Sequence, residues 1–434
     1  MANALRLGVA GLGTVGASVI RLLGEHGDAL ARKNGRAVEV TAVSARNRTR
    51  DRGIDLSGLA FFTDPIELAQ SDEIDVFVEL IGGDNGPAES SVRAALSAGK
   101  HVVTANKALL AKHGVDLAEL AEDNGVCLNY EAAIAGGIPI VKTLRESLSG
   151  NAVTRIYGIM NGTCNYILTR MEKEGISFED CLADAQRLGY AEADPTFDIE
   201  GNDTAHKLAV LTSLAFGTKI SADDIYLEGI TSITTADIQA ADELGYRIKL
   251  LGVAQKTDTG IEQRVHPTMV PKQSAIAQVD GVLNAVAVDG DFVGGLVLVG
   301  PGAGGDATAS SVVSDIADLA RGDVTPVLGM PAKDLADYTR ARMRLHEGGY
   351  YIRFTVQDRA GAFAEIAKAM GNKDISLQSI VQRHRGDADR ADAKSVILIT
   401  HETTEVAVRE ALDEIAETGV ISGVPQMIRI ERLS

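Results

Sequence analysis

Between Gly189 and Leu208 the chain reads GYAEADPTFDIEGNDTAHKL, with carboxylates at Glu192, Asp194, Asp198, Glu200 and Asp203 and a lysine at Lys207. Acids and a lysine packed this closely suit proton transfer and the grip of a cationic group. Pro195 and Gly201 break the first part into loop. Asn202 or Asp203 then reads as an N-cap, because the apolar run LAVLTSLAF follows at once. Asp203 and Lys207 are four residues apart and so share one helix face, which Val210, Leu211 and Leu214 continue. Lys207 is therefore expected on the buried side, near a helix N-terminus. Burial and the positive helix end disfavour its ammonium, and a nearby carboxylate favours it. A lysine so balanced can exchange a proton during turnover, and the spare carboxylates can hold the ammonium of a zwitterionic substrate. A solvated acidic loop capping a helix, with Lys207 snorkelling, is the alternative reading of the same residues.

Such a site needs a scaffold, and the N-terminal half supplies one. Leu5 to Ala10 is a short apolar strand that runs into Gly11-Leu12-Gly13-Thr14-Val15-Gly16 and then an amphipathic helix. The glycines permit a tight turn, close approach of a pyrophosphate and close helix packing. Free amides at the helix start bind the phosphates. A second strand, Val38 to Val43, follows in register, so the pattern is that of a dinucleotide site. At its end, where an acidic residue would favour NAD, the chain has Ser44-Ala45-Arg46-Asn47-Arg48-Thr49-Arg50. Arg46 can stack on adenine and pair with a 2′-phosphate, which favours NADP; a basic solvated turn and NAD use stay open. Strands follow at Asp75 to Leu80, His101 to Ala105 and Val126 to Tyr130, with a helix from Pro87. The strand from His101 ends in Thr104-Ala105-Asn106-Lys107, at the carboxyl end where ligands of open parallel sheets lie, so Lys107 is expected near the nicotinamide. Glu131 to Pro139, EAAIAGGIP, reads as a small-residue loop entering a helix. With Glu131 and free carbonyls it could coordinate a cation through oxygen, or it could be a close-packed crossover between domains, which the small residues favour.

The rest of the chain carries a second domain and a tail. Val153 to Met160 is a strand leading to Asn161-Gly162-Thr163 and a helix, whose start suits a carboxylate. Arg247 to Val253, Gln263 to Val270, Gly281 to Val288 and Gly295 to Val299 read as strands of a mixed sheet. The glycine loop from Pro301 to Thr308 then precedes a helix, and is expected to return the chain to the cofactor domain over the nicotinamide. After a polar connection, Tyr350 to Ile430 reads βαββαβ, a ferredoxin-like unit with a turn at Asp358-Arg359-Ala360-Gly361-Ala362.

Length and composition agree. A chain of 434 residues is long for one core. A net charge of −18 argues against nucleic acid or an anionic membrane as partner, and no apolar run is long enough to span a bilayer. Cys127, Cys164 and Cys181 fit no metal spacing and read as reduced core residues. The chain opens on MANALRLGVAGLG, with no secretory signal, so the cytoplasm is the expected compartment.

Taken together, GLGTVG, TANKALL, EAAIAGGIPI, NGTCNYIL, GYAEADPTFDIEGNDTAHKLAVL and GPGAGGDATASSVV resemble homoserine dehydrogenase over residues 1 to about 330, and FTVQDRAGAFAEIA resembles an ACT regulatory domain. The resemblance implies an α/β fold in three parts. These are a Rossmann-like nucleotide-binding domain over 1–130 plus 302–345, a mixed α/β substrate and dimerisation domain over 131–301, and a ferredoxin-like ACT domain over 350–434. It implies reversible conversion of L-aspartate 4-semialdehyde to L-homoserine with NADPH or NADH, in threonine, methionine and isoleucine biosynthesis. It implies a homodimer or homotetramer, with L-threonine as effector. By resemblance, Lys207 is the proton donor and acceptor and Lys107 lies beside nicotinamide and substrate. Glu192 holds the substrate ammonium with Asp198 and Asp203 nearby, Gly162 and Thr163 meet its carboxylate, and Tyr190 lines the pocket. Gly11, Gly13, Thr14, Val15, Gly16, Arg46, Thr104, Lys107 and Gly302 touch the cofactor. Glu131, Ile134, Gly136 and Ile138 match a sodium or potassium site, three of them through backbone oxygens. Two other classes share parts of this pattern. A 2-hydroxy-acid dehydrogenase with an ACT tail would resemble a His/Glu/Arg set, whereas this chain offers lysines and carboxylates. A non-catalytic amino-acid sensor would leave the charged pocket idle.

Overall fold

The structure is a computed structural model and describes residues 3–341, 347–357, 360–383 and 393–431. The expected turn positions Asp358 and Arg359 lie outside the described residues.

The first sheet is built from β1 (Leu5–Ala10), β2 (Val38–Ser44), β3 (Ala60–Phe62), β4 (Val76–Glu79), β5 (His101–Thr104) and β6 (Leu128–Asn129). All neighbours pair in parallel, in the order β3-β2-β1-β4-β5-β6. Helices α1 (Thr14–Asn34), α2 (Pro65–Gln70), α3 (Pro87–Ser97) and α4 (Lys107–Asp123) connect the strands. Covered on both faces, β1 and β4 are apolar almost throughout, as a buried parallel sheet requires. The strand order reverses between β1 and β4, and the Gly11–Gly16 turn sits at the carboxyl end of β1, at that switch point. Gly11 has φ +97°, and a Cβ there would collide with the Leu80 carbonyl, so only glycine lets this turn lie against the next strand.

Short helices α5 (Glu131–Ala135) and α6 (Ile140–Lys142), and a turn of π-helix over Thr143–Ser147, lead into the second half. There β7 (Val153–Ile159), α7 (Gly162–Glu174), α8 (Phe178–Arg187), α9 (Thr196–Ile199), α10 (Asn202–Phe216), β8 (Tyr226–Leu227), α11 (Thr235–Glu243), β9 (Tyr246–Thr257), β10 (Gly260–Pro271), β11 (Leu283–Gly290) and β12 (Gly294–Pro301) follow. Helix α12 (Gly305–Arg321) then returns to pack on α1. The tail has β13 (Glu347–Gln357), α13 (Ala362–Asn372), β14 (Leu377–Arg383), β15 (Ala393–Thr400), β16 (Thr403–Thr404), α14 (Glu405–Glu417) and β17 (Ile421–Ile430).

The expected mixed sheet and the tail's sheet are one. Eleven strands belong to it, with the path β12-β11-β7-β9-β10-β17-β13-β15-β14. The joint is a short parallel pairing of Thr268 with Arg429 and Met269 with Ile430. Arg429 is fully buried there and donates to Glu405 at 2.7 and 2.9 Å and to Glu228 at 2.7 Å. Arg353 of β13 donates to both oxygens of Asp237, at 2.6 and 2.9 Å, and Asp237 closes the capping box at the start of α11. No helix among the described residues is long and apolar enough to cross a membrane. All three cysteines are buried and unpaired.

Candidate active site

Asp203 sits in the first turn of α10 and is almost wholly buried. Gly201, at φ +88°, is the N-cap rather than Asn202 or Asp203. A Cβ on Gly201 would press on Val265, so the close approach of β10 selects glycine there. This leaves the Asp203 side chain free for other work. Its Oδ2 accepts from Lys207 Nζ at 2.7 Å, and Lys107 Nζ lies 2.6 Å from its Oδ1. Lys207 also donates to the Met160 carbonyl at 2.6 Å. The two lysines reach this carboxylate from different halves of the chain: Lys207 one helical turn further along α10, and Lys107 at the start of α4 beyond β5.

The electrostatics follow from sharing. Burial alone would raise the Asp203 carboxyl, but two ammonium groups outweigh it and hold the group well below the ordinary carboxylate range. Lys207 moves the other way for a lysine with a counterion. Desolvation pulls its pKa down, Asp203 pulls it up, and Lys107 pulls it down again. One carboxylate cannot fully compensate two cations, so Lys207 is easier to deprotonate than a free lysine.

Asn161, at the end of β7, extends the cluster. Its Nδ2 donates to Asp203 Oδ2 at 2.9 Å and Asp198 Oδ1 at 2.8 Å, while its Oδ1 caps α7 by accepting from the Cys164 amide at 2.8 Å. Asp198, on α9, is raised by burial and then by Asp203. Thr163 Oγ1 donates to the Tyr190 carbonyl at 2.7 Å, with Asp198 Oδ2 at 3.4 Å. Tyr190 is half exposed and meets Tyr166 edge-on, with ring centroids 5.1 Å apart. Gly162 opens α7 close to the Val282 carbonyl. Glu192 is exposed; its carbonyl accepts from Gln186 at 3.1 Å, and its carboxylate has no ion pair among the described residues.

Two cavities adjoin. One, of about 260 Å³, is lined by Lys107, Lys207, Val15, Gly136, Gly302 and Glu79. The other, of about 520 Å³, is lined by Gly11, Gly13, Arg46, Asn47, Arg50 and Arg52. Leu80 and Ile81 wall both. Together they trace a path from the basic end of β2, past the glycine turn, to the lysine pair. The residues present fit a dinucleotide: close backbone at Gly11 and Gly16, free amides at the start of α1, and guanidinium groups at the far end. Thr14 faces Gly305 at the α1–α12 contact, and Gly302 packs against Asn284 and Gly136.

Several expectations are corrected. Thr104 is fully buried and does not line either cavity: it donates to Glu79 at 2.5 Å and accepts from the Asn106 amide at 3.0 Å. Asp203 is no open ligand for a substrate ammonium, because both its oxygens are occupied by lysines and Asn161. The Glu131 stretch is a helix, not a loop, and the Glu131 carboxylate accepts from the amides of Val141 and Lys142 at 2.8 and 2.9 Å. It caps the next helix start, with one hydrogen bond on each carboxylate oxygen. Carbonyls of Gly136 and Ile138 accept from the Ser311 hydroxyl and the Ile140 amide, and each keeps a second lone pair. Among the described residues no group of three or more His, Cys, Asp or Glu is arranged to hold a metal.

Glu79 was not singled out from sequence. Fully buried at the end of β4, it accepts from the amides of Ile81 and Gly82 at 2.8 and 2.9 Å and fixes the loop between the two cavities. An acid ending an otherwise apolar strand, just before Gly82-Gly83, was the available signal. Asn161 was read only as part of a carboxylate site, since its bridging role depends on residues 37 and 42 positions away.

Comparison with known proteins agrees over the whole chain. Residues 11–131 match the family model described as homoserine dehydrogenase, NAD binding domain; residues 139–317 match homoserine dehydrogenase; residues 350–417 match the ACT domain. Homoserine dehydrogenase of Pseudomonas aeruginosa is 43% identical over 436 residues, covering 99% of each chain. That of Corynebacterium glutamicum is 40% identical over 446 residues, covering 99% of this chain and 96% of its own. The crystal structure of a homoserine dehydrogenase from Thiobacillus denitrificans superposes with TM-score 0.92 at 42% identity, over 99% of this chain and 98% of that one. A hyperthermophilic archaeal homoserine dehydrogenase in complex with NADPH superposes with TM-score 0.64 at 26% identity, over 74% of this chain and 99% of that one.

Proposed function

The chain belongs to the homoserine dehydrogenase family, an oxidoreductase class acting on CH–OH with a nicotinamide dinucleotide, and on that premise we propose how its own residues divide the work. The substrate pair is L-homoserine and L-aspartate 4-semialdehyde, interconverted reversibly on the route to threonine, methionine and isoleucine. The observation that carries the assignment is the lysine pair on one buried carboxylate, beside the cavity that continues to the glycine turn.

A bound nicotinamide dinucleotide supplies or takes the hydride. Lys207, neutral, accepts the hydroxyl proton of homoserine; as ammonium it returns that proton to the alkoxide-like oxygen formed from the aldehyde. Lys107 adds positive charge beside the same oxygen. Asp203 aims both lysines and stays ionised throughout. The substrate ammonium lies between Glu192, whose carboxylate is unpaired, and Asp198. Its carboxylate takes the Gly162 and Thr163 amides, where the start of α7 favours an anion. Tyr190 closes this end. Arg46, with Arg50 beside it in the same cavity, favours NADP over NAD.

The domain division 1–130 plus 302–345, 131–301 and 350–434 is part of the same reading, supported by the packing of α12 on α1. So is a homodimer or homotetramer. A sodium or potassium ion belongs, on this reading, to the carbonyl oxygens of Ile134, Gly136 and Ile138, with Glu131 contributing negative charge from behind. The tail has a feedback role with L-threonine as effector. Supporting it is a cavity of about 630 Å³ at the seam, walled by Glu228, Thr231, Arg409, Leu412, Gln426 and Met427. From that wall the Ile230 amide donates to the Ile199 carbonyl at 2.9 Å and Thr231 donates to Glu200 at 3.1 Å, so the seam touches the segment that carries Asp198.

The test is the initial rate of cofactor reduction with L-homoserine and NADP⁺ or NAD⁺, with and without L-threonine. Turnover with both, faster at equal concentration with NADP⁺ and slowed by threonine, is expected. No reduction of either cofactor would overturn the assignment.

A further inference from the structure

Asn161 holds three parts of the site with one side chain. Its carbonyl oxygen caps α7, the helix whose first amides are Gly162 and Thr163. Its amide nitrogen has two protons, and each goes to a different carboxylate: Asp198 of α9 at 2.8 Å and Asp203 of α10 at 2.9 Å. The side chain is nearly inaccessible, and every one of its hydrogen-bonding groups is used except a second lone pair on Oδ1.

The two carboxylates are unequal. Asp203 is balanced by two lysines at 2.6 and 2.7 Å. Asp198 has no ion pair among the described residues; its carboxylate accepts from Asn161, with the Thr163 hydroxyl, which donates to the Tyr190 carbonyl, 3.4 Å away. A lysine or arginine at position 161 would neutralise Asp198. An apolar residue would leave two carboxylates facing each other in a buried place, and one would take a proton. A neutral amide separates and orients both while cancelling neither charge.

We propose that Asn161 is a positioning residue for this reaction: it keeps Asp198 ionised but uncompensated, aimed beside the first turn of α7, so that the charge is left for the substrate ammonium. This rests on the assignment of Asp198 to that ammonium. The groups facing Asp198 are Asn161 at the cap of α7, Thr163 and Cys164 from α7, Asp203 and Lys207 from α10, and Lys107 from α4. Of these, Asp203 raises the Asp198 pKa after burial does, and the Asn161 hydrogen bond, Lys107 and Lys207 lower it. Removing the Asn161 donor therefore raises it further. The acid limb of kcat/KM for reduction of L-aspartate 4-semialdehyde, where Asp198 must be ionised while Lys207 is needed as ammonium and titrates on the basic limb, moves towards neutral pH.

The experiment is the pH profile of kcat and kcat/KM for L-aspartate 4-semialdehyde reduction in wild type, Asn161→Ser, Asn161→Asp and Asp198→Asn, with thermal unfolding alongside. Serine and aspartate both keep an oxygen that caps α7, so one serves if the other folds poorly. Asp198→Asn is expected to abolish the acid limb, with KM raised at least tenfold and kcat changed less. Asn161→Ser is expected to move that limb up by about one pH unit, a tenfold loss of kcat/KM on the limb. Asn161→Asp adds a third carboxylate and should move it further. An acid limb unmoved in both Asn161 variants would overturn the proposal. So would an acid limb that survives in Asp198→Asn, because Asn161 would then have no titrating carboxylate to act through. In either case homoserine oxidation by wild type would leave the enzyme's assignment intact.

Discussion

Replacing Asp203 by asparagine leaves two ammonium groups around a neutral amide, and the consequence can be worked out. Two unit charges about 4 Å apart attract by about 4 kcal/mol at an effective dielectric near 20, and removing one partner of a buried pair costs about 3–5 kcal/mol. Lys107 is about one-third exposed and water takes over much of its loss; Lys207 is nearly buried and carries most of the penalty. Lys207 can escape by losing its proton. Against an ordinary lysine pKa near 10.4, that release costs about 4.6 kcal/mol at pH 7 and about 1.2 kcal/mol at pH 9.5. The destabilisation by Asp203→Asn should thus be about 3–5 kcal/mol at pH 7 and about 1–2 kcal/mol at pH 9.5. In acid the difference also shrinks. The Asp203 pKa is depressed in the folded state, so its contribution is present above the unfolded value and is lost as pH falls through the folded one. Urea unfolding of both proteins, followed by the transition of the half that contains α10, measures the difference directly. A penalty equal at pH 7 and 9.5, or below 1 kcal/mol at both, would refute the shared-carboxylate argument.

Other consequences are simpler to read. Lys207→Ala should lower kcat for homoserine oxidation by at least about a thousandfold and leave the dissociation constant for NADPH, by fluorescence titration, within a few-fold; wild-type turnover would remove Lys207 from proton transfer. Arg46→Ala should weaken NADPH by about tenfold, ~1.4 kcal/mol, and NADH little; equal effects on both would take Arg46 out of 2′-phosphate recognition. Glu79→Ala leaves two amides and the Thr104 hydroxyl without their acceptor, a loss of about 3 kcal/mol. It should lower the melting temperature and weaken both cofactors alike, whereas unchanged affinity would mean the 80–82 loop does not need its anchor.

Much of this site could be read along the chain because its chemistry is local. Asp203 and Lys207 pair across one helical turn, which spacing alone dictates. The rule that ligands gather at strand ends places Lys107 at the end of β5, where it meets Asp203 and lines the same cavity as Lys207. Thr104, the last residue of β5 and three residues before Lys107, instead turns its side chain inward to Glu79. The N-cap of α10 was misplaced because a backbone at φ +88° and the pressure of β10 chose Gly201, and neither shows in a polar pattern. Glu131 looked like a loop acid because small residues surround it; those residues pack a buried helix, and its carboxylate caps the next. The elements β3, α2 and α8 were passed over, although Ser177 and Asp180 carry a capping signal ahead of α8. The merging of two sheets depends on residues about 160 positions apart, beyond any local signal.

That merging limits how the tail can move. The splice between β10 and β17 is only two residue pairs long, but Tyr351, Ile397, Ile399, Ile428 and Ile430 of the tail share one buried cluster with Ile238 and Ala241 of α11, and Arg353 grips Asp237, so the seam resists twisting. It resists sliding strongly, because side chains alternate faces: a slip of one residue would carry Arg429 away from Glu228 and Glu405 and expose Ile430's neighbour in its place. The tail is therefore keyed to the catalytic half, like a spline in its slot, against both turning about the strand axis and sliding along it.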